Sequence, residues 1–429
     1  MNNLSEQHYK CAFCNGNNLD IVMDFGTMGL AGGFLSKDKL KSEVKYKMNL
    51  GFCKDCFAVQ ILDQINPDLM FRQGYFYFSS SIRTLKDHFN MYAKEVVESF
   101  VDKPDDTCII EFGCNDGVLL SPLADLNVGT LIGVDPAENV INTISDKRIK
   151  IYNSYFDTKC AEQIVRNHGK ADLIIANNVF AHVGDINGLT IAIDTALSKD
   201  GIFIFEVHYL GKIIEEMQYD MIYHEHIYYY SLVSIENHFK NFDMKVLDVV
   251  EVKNHGGSIR FHVCRNNSKF GDESIRVKDL RSQELKKGFD DSSSFKEFGH
   301  KISNQKKEFI TLLHGIKKNG FKIIGYGASG RANTLLQYCK IDASILDFMV
   351  DDAPAKTGFY TPGSHLEIKS KIPLGKQKPD FVVIFAWTFL REIYFRNIDY
   401  LLMGGKFIVP LPNVKILDLK TLQKLFPEN

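Results

Sequence analysis

The chain has 429 residues, which is more than one hydrophobic core usually organises and indicates two or three domains. Apolar residues make up 45% and charged residues 24%, and the formal net charge of −2, with no long basic run, argues against a general binder of nucleic acids. The polar first ten residues and the lack of a long uncharged apolar run lead us to expect a cytoplasmic protein without a membrane partner.

Residues 1–68 are expected to form a zinc-binding module because they contain two pairs of cysteines. Cys11 with Cys14, and Cys53 with Cys56, have the C-x2-C spacing that lets two thiolates of one turn reach the same metal ion. Two such pairs complete a tetrahedral site without an open position, so this zinc is predicted to be structural. The long segment between the pairs is expected to form strands of its own. A thioredoxin-like redox pair, or cysteines that share this spacing by chance, are the alternatives.

Residues 69–92 form an aromatic segment that we expect to close over a polar ligand as a lid. Tyr75, Phe76, Tyr77 and Phe78 precede three serines that begin at Ser79. An aromatic cluster is more often part of a core. The adjacent serine hydroxyls nevertheless suit contact with a polar ligand.

Residues 93–267 alternate short apolar strands with helical segments, which predicts a doubly wound α/β sheet. The first strand enters a turn at residues 113–117, where glycine lets a ligand approach the backbone, and the second strand ends on Asp135, which is placed to accept hydrogen bonds from ribose hydroxyls. The turn reads E-x-G-x-N-D-G and lacks the paired glycines of dinucleotide enzymes. The spacing therefore favours a class I, Rossmann-like methyltransferase domain over another nucleotide-binding domain.

S-adenosylmethionine is the cofactor that such a domain binds. We expect it to contact residues at the carboxyl ends of the strands, namely Glu111, Gly113, Asn115, Gly117, Asp135, Pro136, Phe156, Asn177, Asn178 and His182.

Residues 219–230 concentrate titratable and phenolic side chains at the position where a methyltransferase faces its acceptor. His224, Glu225 and His226 offer a proton acceptor near neutral pH, a carboxylate to orient it and a second imidazole, and Tyr223 adds a hydrogen-bond donor. A metal site made by the two histidines, or a loop with packing roles only, are the alternatives.

Residues 268–318 are charged and helix-like and are expected to connect to a third domain, residues 319–429. There, an apolar strand enters a G-x-G-x-x-G turn at residues 325–330, and Asp351 and Asp352 lie about twenty residues further on. By motif alone this second Rossmann-like domain would bind a nicotinamide cofactor.

The order of several motifs across nearly the whole chain resembles the bacterial sugar C-methyltransferases that act on nucleotide-linked 4-keto-deoxysugars. Besides the two cysteine pairs, these motifs are Tyr75-Phe76-Tyr77-Phe78-Ser79-Ser80, Glu111-Phe112-Gly113, Asn177-Asn178 with Ala181-His182, Tyr223-His224-Glu225-His226, His255-Gly256-Gly257-Ser258-Ile259-Arg260, Gly325-Tyr326-Gly327-Ala328 and Asp352-Ala353-Pro354-Ala355-Lys356.

The resemblance implies a mechanism and a set of substrate contacts. His226 would remove a proton from sugar carbon C3 with Glu225 orienting it, while Tyr223 and a lid tyrosine, Tyr77 in preference to Tyr75, would stabilise the enolate. The zinc module would position the lid tyrosine. The sugar nucleotide would contact Ser79, Ser80, Asn178, His182, His255, Gly257 and Arg260 and, with the diphosphate in place of NAD, Gly325, Gly327 and Ser329.

The partner implied by the resemblance is a dTDP- or GDP-linked keto-sugar, and the chain is expected to be a monomer or weak dimer. Three other functions stay open: methylation of oxygen or nitrogen, a nicotinamide-dependent sugar oxidoreductase, and a binding module without turnover. A purely structural third domain also stays open.

Overall fold

The computed structural model describes residues 5–7, 10–71, 78–81, 83–253 and 256–427. Tyr75 and Tyr77, which were predicted to be catalytic, and His255, which was predicted to contact the substrate, lie outside these residues. Within the described ranges, no helix is both long and apolar enough to cross a membrane.

The N-terminal domain is built on an antiparallel sheet, as expected for the segment between the cysteine pairs. Its elements are β1 (Ser5–Gln7), β2 (Leu19–Gly29), β3 (Lys45–Cys53), β4 (Val59–Ile61), β5 (Asp63–Ile65) and the short helix α1 (Asp68–Phe71). The sheet has the order β11-β4-β3-β2, in which β11 (Tyr228–Tyr229) comes from the tyrosine-rich loop far along the chain. One edge of the zinc module is thus completed by the loop that carries the predicted chemistry.

The central domain contains a seven-stranded sheet of order β12-β13-β10-β9-β6-β7-β8, in which β13 alone runs antiparallel to its neighbours β10 and β12. Its strands are β6 (Cys108–Phe112), β7 (Thr130–Val134), β8 (Ile149–Tyr152), β9 (Ala171–Asn177), β10 (Leu197–His208), β12 (Met244–Val252) and β13 (Ser258–Arg265). The order and the final hairpin are those of a class I methyltransferase, which confirms the predicted fold.

Helices cover both faces of this sheet because its strands are apolar on both sides. On β6, Ile110 and Phe112 pack with Ile164 and Ile193 of one face, whereas Ile109 packs with residues of the other. The helices are α2 (Arg83–Phe100), α3 (Leu120–Asp125), α4 (Glu138–Ile141), α5 (Thr158–His168), α6 (Ile186–Ala196), α7 (Leu210–Glu215) and α8 (Leu232–Lys240). Helix α2 runs across the predicted boundary at residue 92, so its amino-terminal half belongs to this packing and not to a separate lid.

Two helices, α9 (Ile275–Lys286) and α10 (Ser292–Lys318), form the expected connector. The third domain follows with a sheet of order β16-β15-β14-β17-β18-β19, parallel except for β19. Its elements are β14 (Ile323–Tyr326), α11 (Gly330–Tyr338), β15 (Met349–Val350), β16 (Ile368–Lys369), β17 (Phe381–Ile384), α12 (Leu390–Arg396), α13 (Ile398–Leu402), β18 (Lys406–Val409), β19 (Lys415–Leu417) and α14 (Leu419–Leu425).

One apolar core joins the zinc module, the segment after β10, the connector and the third domain. It includes Phe52 from β3, Tyr219 from the loop, Phe295 from α10 and Leu336 from α11. The Phe52 and Phe295 rings stack with centroids 4.8 Å apart. The loop at residues 219–230 therefore lies where all three domains meet.

Candidate active site

The turn after β6 has the backbone conformation that the sequence predicted for a ligand-binding site. Gly113 and Gly117 have φ values of +66° and +75°, and a Cβ on Gly113 would lie 2.1 Å from Cγ2 of Val179. Only glycine fits such a position. The Asn115 amide donates to Oδ2 of Asp135 at 2.9 Å, which ties the turn to the end of β7.

Several buried oxygens at this edge of the sheet have no hydrogen-bond partner among the residues that the structure describes. They are Oε2 of Glu111, Oδ1 of Asp116, Oδ1 of Asn177 and Oδ1 of Asn178. Buried acceptors without partners are unusual in folded proteins. A ligand with hydroxyl and ammonium donors would satisfy them, so the residues present fit S-adenosylmethionine.

Glu111 and Asp135 carry carboxyls whose pKa values are raised by burial. Burial and then the nearby carboxylates of Asp135 and Asp116, opposed by the amide of Asn177, raise the pKa of Glu111 to about 8. Both oxygens of Asp135 accept backbone amides, from Asn115 at 2.9 Å and from Ala137 at 2.8 Å. A cationic ligand beside Glu111 would favour its ionised form.

Two other predicted cofactor contacts lie at the same edge. Pro136 follows Asp135 and is half-buried. The ring of Phe156 stacks flat on Phe112 with centroids 5.0 Å apart, so packing accounts for this aromatic residue.

The described end of the lid segment rests on the cofactor turn. The backbone amide of Ser79 donates to Oδ1 of Asn115 at 2.9 Å, and that of Ser80 donates to Oδ2 of Asp116 at 3.0 Å. Ser79 and Ser80 therefore contact the turn predicted to bind the methyl donor, through their backbones.

The four predicted metal ligands come together in the N-terminal domain. The sulfurs of Cys11, Cys14, Cys53 and Cys56 all lie within 4.8 Å of one another, and two pairs are 3.5 and 3.6 Å apart. Zinc–sulfur bonds of about 2.3 Å require edges of about 3.8 Å in a tetrahedron, so the cluster fits zinc. All four thiolates would be ligands, which leaves no position for a substrate and makes the zinc structural.

His226 is the imidazole whose hydrogen bonds suit a general base. Its Nδ1 lies 2.8 Å from the Met221 carbonyl oxygen, and its Nε2 lies 3.0 Å from the Tyr223 hydroxyl. Because a carbonyl only accepts, Nδ1 carries the hydrogen, and Nε2 of the neutral ring accepts from Tyr223. The hydrogen bond from Nδ1 to the Met221 carbonyl therefore leaves Nε2 as the atom that accepts a proton.

Two further imidazoles surround His226. The rings of His182 and His208 have centroids 5.1 and 5.2 Å from the His226 ring. Burial lowers the pKa of His182 to about 4, so this ring is neutral at physiological pH. His208 was not predicted. Its position at the carboxyl end of β10, directly after an apolar strand, is the signal that would have identified it.

Glu225 and His224 face the zinc module, which changes the roles expected of them. Oε1 of Glu225 accepts the Gly32 amide at 2.9 Å, and burial raises the pKa of this carboxyl to about 7. The Met221 carbonyl, not Glu225, orients His226. His224 is buried, its Nε2 lies 3.1 Å from the Lys47 carbonyl, and burial lowers its pKa to about 4. This contact with the Lys47 carbonyl secures the loop that carries His224, one of the predicted catalytic residues.

Strand pairing adds to the contacts between the zinc module and the loop at residues 219–230. Tyr228 and Tyr229 pair with Gln60 and Val59 of β4, and the side chain of Gln60 also donates to the Cys11 sulfur at 3.1 Å. The zinc module therefore positions the histidine-bearing loop. Its predicted effect on the lid tyrosines lies outside the described residues.

Arg260 and Gly257, which were predicted to contact the substrate, have partners within the protein. The buried Arg260 guanidinium pairs with Glu206 and Glu95, each at 3.0 Å, and lies 3.5 Å from the Tyr92 ring centroid. Glu206 and Glu95 neutralise the positive charge of Arg260, which a diphosphate would need for binding. Gly257 has φ of +111° and packs against Lys212, so its role is conformational.

The glycine turn of the third domain is likewise explained by internal contacts. A Cβ on Gly325 would meet the Met349 sulfur at 2.2 Å, and one on Gly327 would meet Cβ of Ala386 at 2.5 Å. Oγ of Ser329 caps α11.

An internal carboxylate occupies the anion position of this turn. Oδ2 of Asp351 accepts the Ala328 amide at 2.7 Å, and the Lys356 ammonium donates to the Ala328 carbonyl. A dinucleotide phosphate would compete with Asp351. The geometry therefore supports the structural alternative for this turn over diphosphate or NAD binding.

Three family models match the chain in succession. A zinc binding domain matches residues 11–71, a methyltransferase domain matches residues 85–249, and a C-methyltransferase C-terminal domain matches residues 253–412.

Individual proteins are similar over different shares of the chain. C-methyltransferase NovU from Streptomyces niveus is 28% identical over 415 residues, which cover 96% of this chain and 97% of that protein. The magnesium protoporphyrin IX methyltransferase of Synechocystis with bound SAM has a TM-score of 0.32 at 12% identity. The match covers 45% of this chain and 86% of the Synechocystis protein. An S-adenosylmethionine-dependent methyltransferase from Clostridium acetobutylicum has a TM-score of 0.33 at 16% identity. The match covers 43% of this chain and 93% of the Clostridium protein.

The strand order, the four-thiolate cluster and the three successive family matches agree with one another. The chain is an S-adenosylmethionine-dependent C-methyltransferase in which matches to a zinc binding domain, a methyltransferase domain and a C-methyltransferase C-terminal domain follow one another.

Proposed function

We propose that the enzyme methylates carbon C3 of a nucleotide-linked 4-keto-deoxysugar, carried by dTDP or GDP, through an enolate. The observation that carries this proposal is the geometry of His226, whose Nδ1–H is held by the Met221 carbonyl while Nε2 is paired with the Tyr223 hydroxyl. A base with one defined accepting atom suits removal of a carbon-bound proton. The identity of the sugar nucleotide rests on the resemblance of the motifs.

The chemistry needs a base and a donor to the developing oxyanion. A ketone at C4 acidifies the hydrogen on C3, since the electron pair left behind is delocalised onto the ketone oxygen. Nε2 of His226 takes the proton, and the Tyr223 hydroxyl, released from Nε2, donates to that oxygen. When bound, S-adenosylmethionine would supply the electrophilic methyl group, which gains a bond to C3 as its bond to sulfur breaks and S-adenosylhomocysteine leaves.

Magnitudes from comparable sites show that these groups account for part of the rate. A positioned base contributes about 10²–10⁴-fold, and one oxyanion donor contributes roughly 2.7–4 kcal/mol. The remainder must come from holding carbon and methyl near contact distance. The fixed ring of His226 serves this requirement because its orientation is set before substrate binds.

Asn177 and the chain segment that follows it connect the predicted cofactor site to the base. The Asn177 amide donates to Oε1 of Glu111 at 3.1 Å, and the next turn of the chain brings His182 against His226. Glu111 and Asn177 lie at the carboxyl ends of β6 and β9, and His182 follows β9, at the edge where open α/β sheets bind ligands. This arrangement supports transfer between a methyl donor at the turn and an acceptor beside His226.

Incubation with S-adenosylmethionine and a panel of dTDP- and GDP-linked 4-keto-deoxysugars in deuterated water tests the proposal. We expect a mass gain of one methyl on the sugar carbon skeleton, and loss of both methylation and deuterium uptake in His226→Ala. His168→Ala is the matched control, because His168 also pairs with a tyrosine hydroxyl, that of Tyr152 at 3.1 Å, but lies at the end of α5.

The outcomes of this assay separate the parts of the proposal. Base-dependent deuterium uptake without methylation would support the enolate and reject the sugars tried. Neither signal with any 4-keto-sugar, or full activity of His226→Ala, would reject the proposal. A monomer or weak dimer in sedimentation experiments would agree with the state that we propose.

A further inference from the structure

Asp220 is a fully buried carboxylate, and within the described residues the hydrogen-bond partners of its side chain come from the third domain. Its Oδ2 accepts from Nε of Arg331 at 2.8 Å and from the indole Nε1 of Trp387 at 3.0 Å, and its Oδ1 accepts from Nη2 of Arg331 at 3.1 Å. The guanidinium also lies 5.1 Å from the Trp387 ring centroid. We call Asp220, Arg331 and Trp387 the interdomain clamp.

The clamp is attached to the residue that orients the proposed base. Asp220 is the middle residue of a 3-10 turn, Tyr219–Met221, and the carbonyl of Met221 holds Nδ1 of His226 at 2.8 Å. A shift of the Asp220 backbone would therefore move the carbonyl next to it. Asp220 is joined to Met221 by a peptide bond, and Met221 is joined to the His226 imidazole by one hydrogen bond.

Other contacts hold the same turn from a second side. The Tyr219 hydroxyl donates to Oε1 of Gln305 at 2.5 Å, and the Gln305 amide donates to the Pro410 carbonyl. Gly330, the residue before Arg331, lies beside the Tyr223 ring, since a Cβ there would be 3.4 Å from its Cζ. The third domain thus reaches Met221 and Tyr223, which hydrogen-bond to His226, through neighbouring residues.

We propose that Arg331 and Trp387 are positioning residues for the reaction: they hold Asp220 so that the Met221 carbonyl fixes the tautomer and orientation of His226. This inference rests on the proposed role of His226 as base. It gives the third domain a part in catalysis that does not require its glycine turn to bind phosphate.

The geometry explains why the cation is an arginine. Two nitrogens of Arg331 face the two oxygens of Asp220 in the parallel arrangement that a planar guanidinium forms with a carboxylate. A lysine offers a single charged point and cannot fix the rotation of the carboxyl. Arg331→Lys therefore keeps the charge that the buried Asp220 requires while loosening its orientation.

The first test is spectroscopic and independent of turnover. In protein labelled with 15N-histidine, long-range 15N–1H spectra identify the tautomer of each ring, and His226→Asn assigns the His226 signals. We expect the Nδ1–H tautomer of His226 in the wild type, and a mixture of tautomers in Arg331→Lys and Arg331→Gln. An unchanged His226 tautomer in both variants would overturn the proposal.

The second test is kinetic and uses a control with a similar ion pair. We expect Arg331→Lys and Trp387→Phe to lower kcat, up to about 100-fold, with the affinity for S-adenosylmethionine unchanged. Arg265→Gln breaks the pair between Arg265 and Asp194, which is also partly buried but lies at the amino-terminal end of β10, and should leave kcat unchanged. Equal losses in Arg265→Gln and Arg331→Lys would overturn the proposal.

Trp387 is the sole tryptophan of the chain, so intrinsic fluorescence monitors the clamp directly. Emission should shift in Arg331→Lys and not in Arg265→Gln. If His226→Ala retained methylation, the proposed base would be wrong, whereas the tautomer spectra would still decide whether the clamp controls His226. The two failures are therefore distinguishable.

Discussion

Replacing Arg260 by methionine should destabilise the methyltransferase domain without weakening substrate binding. Arg260 and Glu206 are opposite each other on β13 and β10, and their side chains are 2% and 1% exposed. Removing one partner of a buried ion pair typically costs about 3–5 kcal/mol. Glu206 keeps His88 at 3.4 Å, so we expect the lower end, about 3 kcal/mol. Methionine preserves part of the contact with Tyr92.

Native-state hydrogen exchange of peptides that span β10 and β13 measures this loss. A change of about 3 kcal/mol should accelerate exchange of their most protected amides by about 100-fold. Glu95→Gln is the control, because Glu95 is 49% exposed and its contribution should be at most about 1 kcal/mol. The double variant Glu206→Gln with Arg260→Met should recover stability, since it leaves no unpaired charge. Unchanged exchange in Arg260→Met, together with an increased KM for the sugar nucleotide, would refute this reasoning and restore Arg260 as a substrate contact.

Three further predictions follow from single features. Gly113→Ala should weaken S-adenosylmethionine binding in calorimetry by at least about tenfold, because its Cβ would collide with Val179 at a positive φ, and unchanged affinity would contradict the proposed turn. Removal of zinc with a strong chelator should abolish methylation. It should also accelerate hydrogen exchange at residues 224–229 as well as in the zinc module. An increase in exchange confined to the zinc module would argue against positioning of the loop by that module. NAD(H) should not bind, in fluorescence titrations, while Asp351 accepts the Ala328 amide.

The sequence predicted features that depend on local chain properties. The cysteine pairs fix their metal site by spacing. The strand that ends on Phe112 enters a turn in which Gly113 and Gly117 have positive φ values. The confirmed sheet follows from alternation of apolar segments, which needs no knowledge of distant contacts. These features were predictable because the residues that determine them are neighbours.

The roles that the structure changed depend on partners that are remote in the chain. Glu225 faces Gly32, Arg260 faces Glu206, and the turn at Gly325 faces Met349 and, through Ala328, Asp351. A charged or glycine residue in a motif shows that something specific is needed there. It does not show whether the partner is a ligand or another part of the protein. The pairing of Tyr228 and Tyr229 with β4 is of the same kind, since no local pattern indicates which sheet a two-residue strand joins.

Glu111 should couple S-adenosylmethionine binding to release of a proton. Its pKa in the ligand-free protein is raised by burial from 4.5 to about 8, so the carboxyl is mostly protonated at pH 7. As pH rises from 4.5, the unfolded chain loses this proton before the folded protein does. The contribution of Glu111 to the free energy of unfolding therefore falls until pH reaches about 8. S-adenosylmethionine carries a sulfonium and an ammonium, which favour the carboxylate. Binding near Glu111 should therefore lower its pKa and expel the proton.

Calorimetry in buffers with different ionisation enthalpies counts the protons released. We expect close to one proton per S-adenosylmethionine at pH 7, falling above pH 8, with an affinity that increases with pH across that range. Glu111→Gln should remove this release, whereas Glu162→Gln, an exposed position on α5, should retain it. Equal proton release by the wild type and Glu111→Gln would show that Glu111 does not face the cationic part of the cofactor, and the orphaned acceptors at this edge would then need another ligand.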